Sequence, residues 1–414
     1  MQLKSWKTLG AAALTCGALT FGFAQSQPVH KNEPVRLKGR FAVRVNKNVT
    51  QAGINAAAAA QTLPLFTYNV HATRDGKNYT GVIVGRDPFH GGGSGSVTVP
   101  TEIVPVVIVT HRIGTAIDAN GQIATTPGKT VFNPNTPLPA CLNAPNDVPF
   151  KLARQSPVFT PTNINFGGTN MGTVQYTDAF QRAEFWQVID PTTYHLRLGV
   201  KTLAPVTLDI PAANGLALAT SSLGPPNFCT RLGILDIDVF DNLIVTKVLP
   251  KLKAKGVNPA TFPIFLMANV VEAGANTQLG SCCILGYHGT NQEGSSVQTY
   301  SPSDFDTTGL FGTNGRDIDT LTHEVAEWAN DPFGNNPTPA WGHTGQVAGC
   351  QGNLEVGDPL SGTGAPRLTT SNSFTYHPQE LAFFSWFFRS NSVGVHGWFS
   401  DNGTFLHDAG AVCQ

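Results

Sequence analysis

Charge is what this 414-residue sequence has least of. Asp, Glu, Lys and Arg make up 13% of it, about half the ~25% usual in soluble domains. The 26 basic and 27 acidic side chains leave a net charge of −1. That balance removes the electrostatic case for nucleic acid or an anionic membrane as a main partner. After the N-terminal segment no run approaches the ~18 apolar residues of a membrane helix, so no stable membrane anchor is expected. No Gly-x-Ser-x-Gly elbow is present, which argues against an α/β-hydrolase nucleophile. The glycine loop His90–Gly95 lacks the Lys-Ser/Thr ending of a phosphate-binding loop and reads as a hairpin tip. Asp306-Thr307-Thr308-Gly309 misses the Asp-Thr-Gly of aspartic proteases by one inserted Thr.

What is present describes an exported, loop-rich chain. Apolar residues reach 41%, and 43 Gly and 29 Pro sit among them. That is enough apolar material for a full core and too much for a disordered tail. Residues 1–24 read as a signal peptide: Lys4 and Lys7, then an apolar stretch from Leu9 to Phe23, then Gly22-Phe23-Ala24 as a cleavage site. Lipidation of Cys16 is the second reading. Cleavage leaves Cys141, Cys229, Cys282, Cys283, Cys350 and Cys413. An even number in a secreted or periplasmic protein implies three disulfides among fifteen pairings, with adjacent Cys282 and Cys283 expected to take different partners.

Two regions follow. Residues 25–150 read as a β-rich N-terminal region, whether an accessory domain, a pro-region or part of the catalytic fold, with β-branched runs at Val97–Val99 and Ile103–Val109. Residues 151–414 read as an α+β domain. Helices are expected at 175–186, at 240–252 with a kink at Pro250, at 317–330 and at 379–388; strands are expected at 262–271 and 282–287. The aromatic stretch Phe383–Phe388 reads as core, with sugar binding the competing reading.

The segment 317–330 carries the chemistry. Ile318, Leu321, Val325 and Trp328 form one apolar stripe, and His323 and Glu327 fall almost opposite it. Four residues apart, these two side chains stack one turn over the other and can grip one ion, with Glu324 beside them to take a proton from its water. This is the geometry of the His-Glu-x-x-His zinc helix with Glu in the second ligand place. A solvated helix face is the competing reading. Zn²⁺ needs a third protein ligand, and Asn353-Leu354-Glu355-Val356-Gly357-Asp358 offers Glu355 first and Asp358 second, with His343 a further candidate. Gly286-Tyr287-His288-Gly289 ends a strand upstream. As an edge strand it would give a peptide main-chain partners, with Tyr287 or His288 touching the oxyanion. Each of these two also reads as a structural residue.

His323-Glu324-x-x-Glu327, Asn330-Asp331-Pro332, Trp341 and Glu355-x-x-Asp358 together resemble a set of secreted zincin-like metalloproteases, and distantly the plant EXORDIUM (phosphate-induced) proteins. The resemblance spans roughly residues 260–360. It implies a zincin-like catalytic domain, with His323 and Glu327 at ligand positions and Glu324 at the catalytic one. The function it leads us to expect is an exported zinc peptidase acting on extracellular protein or peptide. The rival class is a non-catalytic secreted protein that binds a wall or surface through the same fold.

Overall fold

The computed structural model describes residues 37–46, 48–60, 62–118, 120–137, 148–219, 230–274, 277–312, 315–364, 367–407 and 413. The signal-peptide reading, Cys16, Cys141 and Cys229 lie outside them.

The β-branched runs at 97–109 belong to one long strand, Ser96–Ile117. Its length lets it take different partners in succession. His195–Thr202 pairs with its first half, and Val206–Asp209 and Ile123–Phe132 pair with its second. Between them it also pairs in parallel with Phe262–Ala268 and Gly215–Ala219. The sheet then runs through Arg231–Asp236 and Val270–Ala273 to Cys282–Glu293 on one side, and through Ser296–Phe305 to the same Cys282–Glu293 on the other. That last pairing closes a seven-stranded barrel.

This overturns the expected α+β, zincin-like fold. The described chain is mostly β, 42% strand against 22% helix. The apolar runs at 97–109, 262–271 and 282–287 were readable, but 262–271 divides into two strands, Phe262–Ala268 and Val270–Ala273. The barrel strands Gly215–Ala219, Arg231–Asp236 and Ser296–Phe305 were not anticipated. Closure depends on pairings between residues far apart in sequence, which hydrophobic periodicity does not report. The barrel also draws strands from both sides of residue 150, so residues 96–117 are integral to it.

Helices cover the barrel. The stripe Ile318, Leu321, Val325 and Trp328 packs against Ile103, Phe262, Ile264 and Leu266. Trp328 stacks on Phe262 with ring centroids 3.7 Å apart and donates its indole N–H to Thr299 Oγ1 at 3.1 Å. Burying a large side chain of this kind stabilises by about 3 kcal/mol. The expected helix at 240–252 runs from Ile237 to Lys253 with a π turn at Ile244–Val248, which ends two residues before Pro250, the residue that lacks an N–H. The last helix is shorter than expected, Phe384–Phe388, and its aromatics lie in the core with Trp341.

The disulfide expectation also changes. Cys282 and Cys283 are bonded to each other, and Cys350 to Cys413. Cys350 and Cys413 lie together at the C-terminal side and so are not available to the adjacent pair.

Candidate metal centre

The helix Asp319–Asn330 is buried on every side, all twelve residues of it. That disposes of the solvated-face reading for His323, Glu324 and Glu327. The helix ends where Pro332 follows Asp331, whose carboxylate accepts the N–H groups of Asn335 and Asn336 at 2.9 and 3.0 Å. Its polar face meets the strand Cys282–Glu293. Side chains alternate along a strand, so Gly286 and His288 face the helix and Tyr287 faces away. Gly286 permits the close approach: a Cβ there would lie 2.5 Å from Thr320 Cγ2.

Six ionisable side chains converge. His323 Nε2 lies 3.0 Å from Glu327 Oε2 and 3.6 Å from Asp358 Oδ1. His288 Nδ1 lies 3.5 Å from Glu324 Oε2 and 3.7 Å from Glu327 Oε2, and its Nε2 is 3.9 Å from Glu355 Oε2. Two triads result, His323–Glu327–Asp358 and His288–Glu324–Glu327, each with ligand atoms within 4.8 Å of one another. Several of these atoms make no hydrogen bond of acceptable geometry: His323 Nε2, both nitrogens of His288, both oxygens of Glu324, and Glu355 Oε2. Leaving such atoms unpaired in a dry interior costs about 1–3 kcal/mol each, more for charged groups. A cation among them removes that cost, and spacings of 3.0–3.9 Å suit neighbouring ligands of one ion.

Burial sets the electrostatics. It pushes the carboxyls of Glu324, Glu327 and Glu355 well above the usual range, and their mutual repulsion adds to the effect. It raises Asp358 to about 6, with His323 opposing. The same desolvation lowers His323 and takes His288 down to about 3, so both imidazoles are neutral and able to act as ligands. Among the described residues these four acids have no Lys or Arg partner; their ion pairs are with the two histidines.

A second layer holds the groups in place. Gln379 Oε1 accepts from His323 Nδ1 at 2.9 Å, and Gln379 Nε2 donates to Gly357 O at 2.6 Å. The Nδ1 proton is thereby fixed and Nε2 is left bare for a metal, as metal-bound histidines are commonly arranged. Glu327 Oε1 accepts the N–H groups of Gly357 and Asp358 at 3.1 and 3.2 Å. Asp358 accepts from Gln346 and, at 2.9 Å, from Gln351; Asn353 donates to Glu355 Oε1 at 2.7 Å. Phe41 stacks on the His323 ring, centroids 3.7 Å apart.

Of the residues singled out in the sequence, the structure gathers His288, His323, Glu324, Glu327, Glu355 and Asp358. Tyr287 does not join them. Its hydroxyl donates to Asp241 Oδ1 at 3.0 Å on the opposite face of the strand, which rules out contact with an oxyanion at this cluster. His343 is exposed beside the Cys350–Cys413 disulfide, where its Nε2 lies 3.8 Å from Cys350 Sγ. The expected edge strand is not free either, because Arg40–Val45 pairs in parallel with Cys282–Glu293 along Arg40 to Val45. Sequence reasoning missed Gln379, Gln346, Gln351 and Phe41. None belongs to a spacing pattern that includes the motif, so only the fold joins them to it. Comparison of the chain with family models, with curated proteins and with solved structures gives no match, and the centre is therefore read from its own geometry.

Proposed function

We propose that this chain is an exported, metal-dependent hydrolase that cleaves peptide bonds of extracellular proteins. The observation that carries the reading is the buried His323–Glu327–Asp358 triad, with His323 Nε2 unpartnered and its other nitrogen tied to Gln379. One imidazole and two carboxylates suit Zn²⁺ and leave a place for water. Bound there, zinc would polarise a carbonyl and bring its water's pKa toward ~7. Glu324, one residue from His323, would be the group to accept a proton from that water and return it to the leaving amine. Burial and the neighbouring carboxylates raise its pKa above the ordinary carboxylate range, which makes it a stronger base. Glu355 stands beside the triad as an alternative oxygen ligand, and neutral His288 as a hydrogen-bond donor toward the reacting oxygen. The strand Arg40–Val45, with Phe41 stacked on His323, covers this side of the centre, so a substrate entering there would have to displace it.

The test is zinc content followed by one substitution. The mature protein should retain close to one equivalent of zinc after mild dialysis, and Glu324→Gln should keep that zinc while losing cleavage of a casein-type substrate. Metal-free protein, or undiminished cleavage by the variant, overturns the reading. The complete burial of every candidate ligand favours a second reading, a secreted wall- or surface-binding protein with a structural ion. That alternative requires bound zinc with no hydrolysis by the wild type across a broad peptide set.

A further inference from the structure

The first triad leaves part of the cluster unexplained. With one dication on His323, Glu327 and Asp358, neither ring nitrogen of His288 and neither carboxylate oxygen of Glu324 has a hydrogen bond of good geometry. The backbone of Asp331 leans on the His288 ring, and all of these atoms are fully buried. These atoms are not scattered. His288 Nδ1 sits 3.5 Å from Glu324 Oε2 and 3.7 Å from Glu327 Oε2, and the three form a ligand group of their own. Glu327 belongs to both groups, and its Oε2 is the atom facing both histidines.

Charge points the same way. Glu324, Glu327, Glu355 and Asp358 carry four negative charges when ionised, and among the described residues no Lys or Arg pairs with any of them; only the rings of His288 and His323 lie within ion-pair distance. One dication offsets half of that charge and two offset all of it.

We propose that the cluster holds a second divalent cation, on His288, Glu324 and the shared Glu327, and that filling this position switches hydrolysis off. This rests on the hydrolase reading for its consequence, though not for its binding. An ion on Glu324 occupies the carboxylate that otherwise accepts the proton of the reacting water. The second site takes an imidazole and two carboxylates, a set suited to zinc. Its occupancy therefore converts an active one-ion enzyme into an inactive two-ion one as free zinc rises.

The experiment is a zinc titration of the chelator-stripped full chain by calorimetry, without reductant so that Cys350 and Cys413 stay joined beside His343. Two equivalents should bind in separable steps. His288→Ala should abolish the second step and keep the first. X-ray absorption of the doubly loaded protein, which needs no variant, should show a metal–metal distance of about 3.5–4 Å. Cleavage should rise over the first equivalent and fall by about 10²-fold over the second, the usual size of a general-base contribution. Saturation at one equivalent, or two equivalents with no metal–metal distance, overturns the second site and leaves the hydrolase reading standing. No zinc binding at all overturns both. Two bound ions with undiminished cleavage overturns the switch.

Discussion

Gln379 shows how much of the centre depends on residues outside the motif. It is the partner of His323 Nδ1 and the tether of Gly357, and so fixes both the ring and the loop that presents Asp358. Gln379→Leu should lower zinc affinity about 10–100-fold, as losses of such supporting groups do, measured by competition with a chelator of known affinity. Unchanged affinity would mean that packing alone orients His323. A different buried acid offers a prediction about pH. Burial pushes Glu184 up to about 8, against ~4.3 in an unfolded chain. Between those values the folded protein holds a proton that the unfolded chain has released. Stability from this group is therefore full at low pH and is lost as pH rises toward 8. Glu184→Gln keeps an acceptor for the Phe384 N–H, 2.6 Å from Glu184 Oε1, and removes the titration. Its melting temperature should exceed the wild type's by more at pH 8 than at pH 5; equal offsets at both would show that Glu184 does not titrate in this range.

At the scale of elements, the site exists because one helix and one strand approach closely. Gly286 is the point of approach, and a methyl group there would meet Thr320 Cγ2 at 2.5 Å and Pro302 O at 3.0 Å. Gly286→Ala should destabilise by roughly 1–3 kcal/mol, the usual cost of overpacking, and should reduce zinc retention because His288 and Glu324 are held apart. Denaturant unfolding and metal analysis of the same preparation check both parts. The helix itself was largely legible. Its apolar stripe, its length and its stop at Asp331-Pro332 follow from local pattern, and so does the i, i+4 pairing of His323 with Glu327. The strand was legible too, but not its neighbours. Arg40–Val45 lies more than 230 residues before the strand it pairs with and carries no signal of that partnership.

For the whole molecule, barrel closure makes distant parts of the chain one folding unit. The strand Ser96–Ile117 sits between Gly215–Ala219 and Phe262–Ala268, so a fragment spanning 151–414 lacks a central stave. That fragment should be expressed as an unfolded or aggregated chain, with no cooperative thermal transition; a fragment that folds and binds zinc would show that the barrel is not the unit of stability. The sequence by itself determined the helix that carries the motif, with its apolar stripe and the i, i+4 pair of His323 and Glu327, and the apolar runs of the strands at 96–117, 262–273 and 282–293. Those follow from interactions within a few residues. Only the tertiary structure decided that the strands close into a barrel, that Tyr287 turns to Asp241 while His288 turns to the cluster, and that Gln379, together with Gln346 and Gln351 of one hairpin, supports the site. Apart from the hairpin glutamines, which lie seven and twelve positions from Asp358, these contacts join residues tens to hundreds of positions apart. Closure and burial fix them together, and no local periodicity encodes them.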